Sequence, residues 1–275
     1  MAKTELGKST IGFIGCGAMA RALAGGLVEA GVAPSQIRAS DPFAGAREQF
    51  AEAIGATPVE DNDEVIRGAD LVVLAVKPGA VAGVLKALDP KAASGPIWVS
   101  IAAGVPLAAL AGALPTSTRI VRTMPNTPAL VGAGATAYFP GPGVAEDDLA
   151  LVEQVLEAAG YCWQSPNEDL LDAVTGLSGS GPAYVFLILE ALSDAGVRQG
   201  LPRDAAQALA TRTVFGAAKL ALETGTHPGV LKDQVTSPGG TTIAGLEQLE
   251  AGGVRAALYE AVRAATDRSK ELRDS

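Results

Sequence analysis

"STIGFIGCGAMARALAGGLVEAG", residues 9–31, is the stretch that decides the fold. Its first seven residues read as a strand, and the alanine-rich segment 18–31 reads as a helix ending at Gly31. Between them stands Gly15-x-Gly17-x-x-Ala20. A strand that turns this sharply into a helix needs a residue free of Cβ strain, which Gly15 supplies. Gly17 presents no side chain to block a pyrophosphate, and Ala20 is small enough for the helix to lie close on the sheet. The helix start also directs its first amides at bound phosphate. Gly15, Gly17, Ala18, Met19 and Ala20 are therefore candidate dinucleotide contacts. A glycine turn serving packing alone is the competing reading, and the strand and helix on either side weigh against it.

Working outward, short apolar runs alternate with helical patterns. "QIRAS" (36–40) reads as a strand before a helix around 44–54. "LVVLAV" (71–76), counted as the fourth strand, is continuously apolar, as expected where helices cover both faces of a parallel sheet. "PIWVSI" (96–101), "RIVRTM" (119–124) and "GATAYF" (134–139) follow. The pattern predicts an α/β fold: an N-terminal Rossmann-like, doubly wound sheet. After Trp163 the strands stop, and "QSPNED" (164–169) reads as a linker in which Ser165 and Asn167 offer caps. Helices are predicted at about 181–196, 202–224 and 253–273. The division expected is a dinucleotide-binding domain at 1–166 and an all-helical domain at 167–275. So much alanine and leucine in a small bundle points to helices packed against another chain.

The bulk properties remove several classes of function. The 275 residues carry a formal charge of −9 and no basic stripe, which argues against a nucleic-acid partner. No apolar run is long enough to span a bilayer, and "MAKTELGKS" lacks the pattern of a secretory signal. Two cysteines, Cys16 and Cys162, give no disulfide framework and suit a reducing cytoplasm. A single histidine, His227, leaves little material for a metal site.

Further candidates lie where ligands of open sheets bind, at the carboxyl ends of strands. In "ASDP" (39–42), Asp41 is suited to accept from a ribose 2′-OH or to cap the next helix, whereas Ser40, Arg38 and Arg47 are suited to a 2′-phosphate. The cofactor choice stays open at this point. "AVKP" (75–78) ends its strand with Pro78 fixing the turn, and Lys77 there reads as structural or cofactor-edge rather than as a Schiff base. Small residues in "SIAAGV" (100–105) admit close approach of a nicotinamide ring. In the second half, "VTGLSGSGPAYVF" (174–186) reads as a polar turn capping a long helix with Pro182 in its first turn. "TSPGGTTIAGLEQLE" (236–250) does the same for a later helix. Gly239 and Gly240 expose backbone donors there, Thr241 opens the helix, and the helix dipole favours a carboxylate. Ser237 adds a hydroxyl. Thr242, one residue in, is placed to reach an atom adjacent to that carboxylate.

The motifs "GFIGCGAMA", "AVKP", "RTMPNTP" (122–128), "DAVTGLSGSGPAY" (172–184) and "HPGVLKDQVTSPGGTTI" (227–243) resemble those of pyrroline-5-carboxylate reductase, in order and spacing, over nearly the whole chain. The resemblance implies hydride transfer from NADPH or NADH to the cyclic imine of 1-pyrroline-5-carboxylate, giving L-proline in the last step of proline biosynthesis. It implies that Ser237, Gly239, Gly240 and Thr241 hold the substrate carboxylate. Thr242 would be the catalytic residue, hydrogen-bonded to the ring nitrogen and helping to deliver its proton. It assigns cofactor contacts to Ser40, Asn62, Ala75, Val76, Lys77, Pro78, Ala102 and Ala103. It further implies a homodimer through the helical domain, assembled into a larger ring such as a decamer, with each active site completed by the partner's helices. One departure stands out: many members carry a basic or small polar residue where this chain has Asp41, so appreciable activity with NADH is expected. His227 reads as a loop residue ordering the approach to the cradle. The competing readings are a hydroxyacid dehydrogenase, with Lys219 or Lys232 as an interior base, and a non-catalytic NAD(P)-sensing module.

Overall fold

A computed structural model of the chain describes residues 6–273, so part of the amino-terminal segment read for a targeting signal lies outside the described residues. The described residues form a seven-stranded sheet: β1 Ile11–Ile14, β2 Ile37–Ser40, β3 Leu71–Leu74, β4 Ile97–Ser100, β5 Arg119–Met124, β6 Gly134–Pro140 and β7 Gly160–Gln164. The spatial order is β2-β1-β3-β4-β5-β6-β7. The first five strands are parallel, β6 runs antiparallel to β5, and β7 is parallel to β6.

β1, β3 and β4 are buried along their whole length, which is why they read as unbroken apolar runs. Their side chains alternate between two cores. Phe13, Leu71, Val73 and Val99 pack on one face with Leu23 and Leu27 of α1 (Ala18–Glu29) and Phe50 of α2 (Ala44–Ile54). Val72, Leu74 and Trp98 pack on the other face. There they meet Val81 and Leu85 of α4 (Val81–Lys86) and Leu110 of α6 (Leu107–Ala113). Between these come α3 (Asn62–Ile66) and α5 (Pro90–Ala93), and α7 (Glu146–Glu157) follows β6. Each fully buried side chain of this kind contributes about 1.5–3 kcal/mol, so the two-faced sheet is the main source of stability.

Three details depart from the sequence reading. The run 71–76 is the third strand in the chain and not the fourth, because the segment before it pairs only through an isolated Ser40–Val59 bridge. Likewise the strand from 96 is the fourth and not the fifth. A seventh strand, β7, lies at the sheet edge, where Tyr161 and Trp163 are exposed and leave no apolar alternation to read.

The segment 174–186 is not a turn. α8 (Leu170–Val174) runs directly into a π-helical turn at Thr175–Gly179 and then into α9 (Gly181–Arg198). The Ser180 amide reaches back to the Thr175 carbonyl at 2.8 Å, which marks the widened turn. The hydroxyls of Thr175 and Ser178 donate to the Leu171 and Val174 carbonyls four residues earlier, so residues that read as helix breakers are satisfied inside the helix.

By packing, one compact unit ends at Ser180 and also takes in the chain from Ala264 onward, and the other is Gly181–Arg263. The strands end near the expected boundary at 166, but residues 168–179 stay tied to the sheet. Arg122, buried in β5, donates to Glu168 at 2.7 Å, and Asn126 donates to the Ser178 carbonyl at 3.1 Å. Asp172, fully buried, accepts from Ser269 at 2.7 Å and from Arg273 at 2.6 Å. These last two residues sit at the end of α13 (Val254–Arg273). Removing that carboxylate strands the buried Ser269 hydroxyl and takes from Arg273 the closer of its two carboxylate partners, the other being Asp169 at 2.9 Å. Asp172→Ala is expected to lower unfolding free energy by about 2–3 kcal/mol, read by urea denaturation.

The second unit holds α9, α10 (Arg203–Thr224), α11 (Pro228–Gln234), α12 (Thr241–Ala251) and the first part of α13. Its long helices bury little within the chain. Phe186, Leu187 and Leu222 are exposed, and in α10 only Ala206 and Ala210 are buried. An apolar surface of this extent marks an interface. Among the described residues no helix is long and apolar enough to cross a membrane.

Candidate active site

The glycine loop follows β1 as its composition requires. Gly15 has φ +101°, and a Cβ there would stand 2.7 Å from the Ala75 carbonyl oxygen, so any side chain meets both strain and a clash. Gly17 is the N-cap of α1, has no side-chain cap, and has open space where a Cβ would project. The first backbone bond of the helix runs from Arg21 to Gly17 at 3.0 Å, so the amides of Ala18, Met19 and Ala20 face the open end of the helix. Ala20 is fully buried against the sheet. The loop thus fits a pyrophosphate: a clear approach over Gly17 and unclaimed donors behind it. Cys16, between the glycines, is fully buried, and burial reinforced by the Asp41 charge pushes its thiol up to about 12, so it is no nucleophile.

The parallel register places Ile14 opposite Ser40, and Gly15 donates to the Ser40 carbonyl at 2.7 Å, which sets the β2 end beside the loop. Ser40 is fully buried, and its hydroxyl donates to Asn62 Oδ1 at 2.7 Å. Asn62 is the first residue of α3. Ala75 and Val76 leave β3 half-buried, and Lys77 and Pro78 are exposed at the following turn. Ala102 is buried after β4, with Ala103 exposed beside it. Lys77, on the surface, has no desolvating pocket to activate it. A cavity of about 600 Å³ opens along this edge of the unit, bounded by Pro78, Ala103, Val105, Thr175, Ser180 and Leu272. Sequence reasoning missed its wall from the carboxyl-terminal helix, because nothing in a helical periodicity says which strand ends it will flank.

Described by itself, the later turn opens a helix at Thr241 as expected, but the Gly240 amide is not an exposed donor: it donates to the Ser237 carbonyl at 3.0 Å and closes the turn. Gly239 has φ +66°, the left-handed conformation a tight pre-helical turn uses, and Gly240 is the N-cap of α12 with no side-chain cap. A Cβ on Gly240 would come within 2.3 Å of Ser237 Oγ, so the serine hydroxyl closes directly over the turn. The first backbone bond of α12 is Ala244 to Gly240, so the amides of Thr241, Thr242 and Ile243 point out of the helix end. Thr241 is exposed and Thr242 half-buried. These three amides and the Ser237 hydroxyl lie at one uncapped, positively polarised terminus, which suits a small carboxylate.

His227 is not a free loop side chain: it is the N-cap of α11, where Nδ1 accepts from the Gly229 amide at 3.1 Å. Lys219 and Lys232, the interior bases the hydroxyacid reading needs, are both more than half exposed in ion pairs with Glu223 and Asp233. Neither lysine is enclosed in a site where a substrate could be held against it. Lys219→Ala and Lys232→Ala are each expected to leave kcat within about twofold, by steady-state assay. Among the described residues no group of three or more His, Cys, Asp or Glu is placed to hold a metal.

A glycine loop shaped for a dinucleotide on a parallel sheet, joined in one chain to a helical unit, is the architecture of a nicotinamide-dependent oxidoreductase. The sequence profile for coenzyme F420-dependent NADP oxidoreductases matches residues 10–104, and that for pyrroline-5-carboxylate reductase dimerisation matches 168–272. The pyrroline-5-carboxylate reductase of Glycine max is 48% identical over 267 residues, covering 96% of each chain. The solved pyrroline-5-carboxylate reductase of Coxiella burnetii superposes with a TM-score of 0.91 at 40% identity, covering 96% of this chain and 98% of that one. A Plasmodium falciparum pyrroline carboxylate reductase solved with NADP bound gives 0.87 at 31% identity over 97% and 99%. The chain belongs to the pyrroline-5-carboxylate reductase family.

Proposed function

We propose that the chain reduces 1-pyrroline-5-carboxylate to L-proline with NADPH or NADH, the last step of proline biosynthesis. The observation that carries this reading is the uncapped start of α12 over the Gly239–Gly240 turn, in a chain that also holds the glycine-loop cradle. When bound, the reduced nicotinamide supplies the hydride. Gly17 and the amides of Ala18, Met19 and Ala20 hold its pyrophosphate. Ala75, Val76, Lys77, Pro78, Ala102 and Ala103 form the strand-end edge along which the rest of the cofactor lies, and Ser40 and Asn62 brace the adenosine side.

The Ser237 hydroxyl and the amides of Gly239 and Thr241 grip the substrate carboxylate, and Gly240, whose amide closes the turn on the Ser237 carbonyl, shapes the floor beneath it. Thr242 Oγ then accepts from the ring N–H, the proton that the nitrogen must carry for the imine carbon to accept a hydride and must keep in the product amine. A protonated imine is already electrophilic, so catalysis is mainly the holding of C5 against the nicotinamide C4. That accounts for a site with one capping histidine and two surface lysines.

Residues 167–275 serve in this reading as the substrate-binding and dimerisation domain. The exposed apolar helices support a homodimer. In this reading each cradle faces the partner's nucleotide domain, and dimers assemble into a larger ring, such as a decamer, in the cytoplasm. Oxidation of NADPH or NADH, followed at its absorbance with 1-pyrroline-5-carboxylate as substrate, tests the activity. Turnover yielding proline is the expected result. Binding of cofactor without turnover would leave a sensor, and turnover only with a hydroxyacid would leave the other dehydrogenase class.

A further inference from the structure

The end of β2 carries more information than the family assignment uses. Rossmann sites discriminate their cofactors there, at the ribose 2′ position. The Asp41 carboxylate accepts two backbone amides, Oδ2 from Cys16 and Oδ1 from Phe43, both at 2.9 Å. One bond fixes the carboxylate to the glycine loop and the other to the start of α2. Its charge is thus held in place and cannot swing aside without loosening the cradle.

The groups suited to bind a 2′-phosphate each already donate within the protein, and one of them, Arg47, lies against Asp41 itself. Ser40 is fully buried and donates to Asn62. Arg38 donates to the Arg67 carbonyl at 2.5 Å. Arg47 donates to the Asp41 carbonyl at 2.6 Å and lies 3.8 Å from the exposed Glu60 carboxylate. The next residue, Asp61, adds a further negative charge as the cap of α3.

We propose that Asp41 is the specificity-determining residue of the cofactor site and makes this chain prefer NADH. Its carboxylate keeps lone pairs free to accept from a ribose 2′-OH, and it repels a 2′-phosphate by like charge. Asp41 acts on the cofactor and not on the reacting atoms, so kcat at saturation changes little while KM separates the two dinucleotides. The proposal rests on the reading of the glycine loop as a dinucleotide cradle, and the test separates the two.

Calorimetric titration of the full chain with ADP and with 2′,5′-ADP requires no turnover. ADP is expected to bind at least about tenfold more tightly, and kcat/KM for NADH to exceed that for NADPH by at least about tenfold. Asp41→Asn keeps one acceptor oxygen and removes the charge, and is expected to reduce both ratios by at least about tenfold. Asp41→Ser is the second variant, should the asparagine amide disturb the loop. Equal or tighter binding of 2′,5′-ADP by the unaltered chain overturns the proposal, as does an unchanged ratio in a variant that still binds ADP. Binding of neither nucleotide, by a chain whose circular dichroism shows it folded, overturns the cradle reading and this proposal with it.

Discussion

Thr242→Ala is expected to lower kcat by about a hundredfold while cofactor affinity changes by less than about twofold. The side chain stands at the second position of α12, one residue beyond the turn proposed to grip the substrate carboxylate, and is half-buried. It is too far along the helix to cap it, and alanine is a better helix former than threonine, so the fold does not depend on the hydroxyl. On the proposed mechanism, what is lost is a hydrogen bond with the nitrogen whose protonation makes the carbon electrophilic. Such a bond matters more as the C=N bond becomes C–N, which is why the loss falls on kcat more than on binding. Thr242→Ser retains the hydroxyl and is expected to recover most of the rate. An unchanged kcat in Thr242→Ala would remove the residue from the mechanism.

The second large effect is on the cofactor. Gly17→Val is expected to raise the dissociation constants for NADH and NADPH by more than about a hundredfold, or about 2.7 kcal/mol. Gly17 has φ −67° and ψ 179°, a backbone that any residue adopts, and no atom lies within 4 Å of where its Cβ would be. Valine is therefore tolerated by the fold and projects into the space assigned to the pyrophosphate. Gly15 makes the contrasting case, since its positive φ and the nearby Ala75 carbonyl make any substitution there a folding defect. Equilibrium fluorescence titration together with a thermal melt distinguishes the two. Retained nucleotide affinity in a folded Gly17→Val protein would mean that the phosphates lie elsewhere.

The parts legible in the sequence were those in which backbone geometry restricts residue choice. The glycine loop, the continuous apolar strands and the Gly239–Gly240 turn each demand particular residue types at fixed spacing, and each lies where it was read. The misread parts were decided by contacts between distant segments. "TGLSGSG" has the composition of a turn, yet it folds as a π-helical turn because residues 174–180 pack on the end of β5. A Cβ on Gly179 would stand 2.6 Å from the Met124 side chain. Asp41 was legible as a ribose acceptor or a helix cap, but its bond to Cys16 joins residues 25 positions apart and leaves no local signature. His227 sits before a proline and reads as loop, whereas its ring caps the short helix that this proline begins. Lys219 and Lys232 fall within amphipathic segments whose inward face is fixed only by packing.

A crystal structure of the chain with L-proline and oxidised cofactor examines the grip on the small acid most directly. The product carboxylate should lie within hydrogen-bonding distance of Ser237 and the amides of Gly239 and Thr241, with the ring nitrogen beside the Thr242 hydroxyl and the ring stacked on the nicotinamide. Proline with its carboxylate held by any other part of the chain would contradict the account.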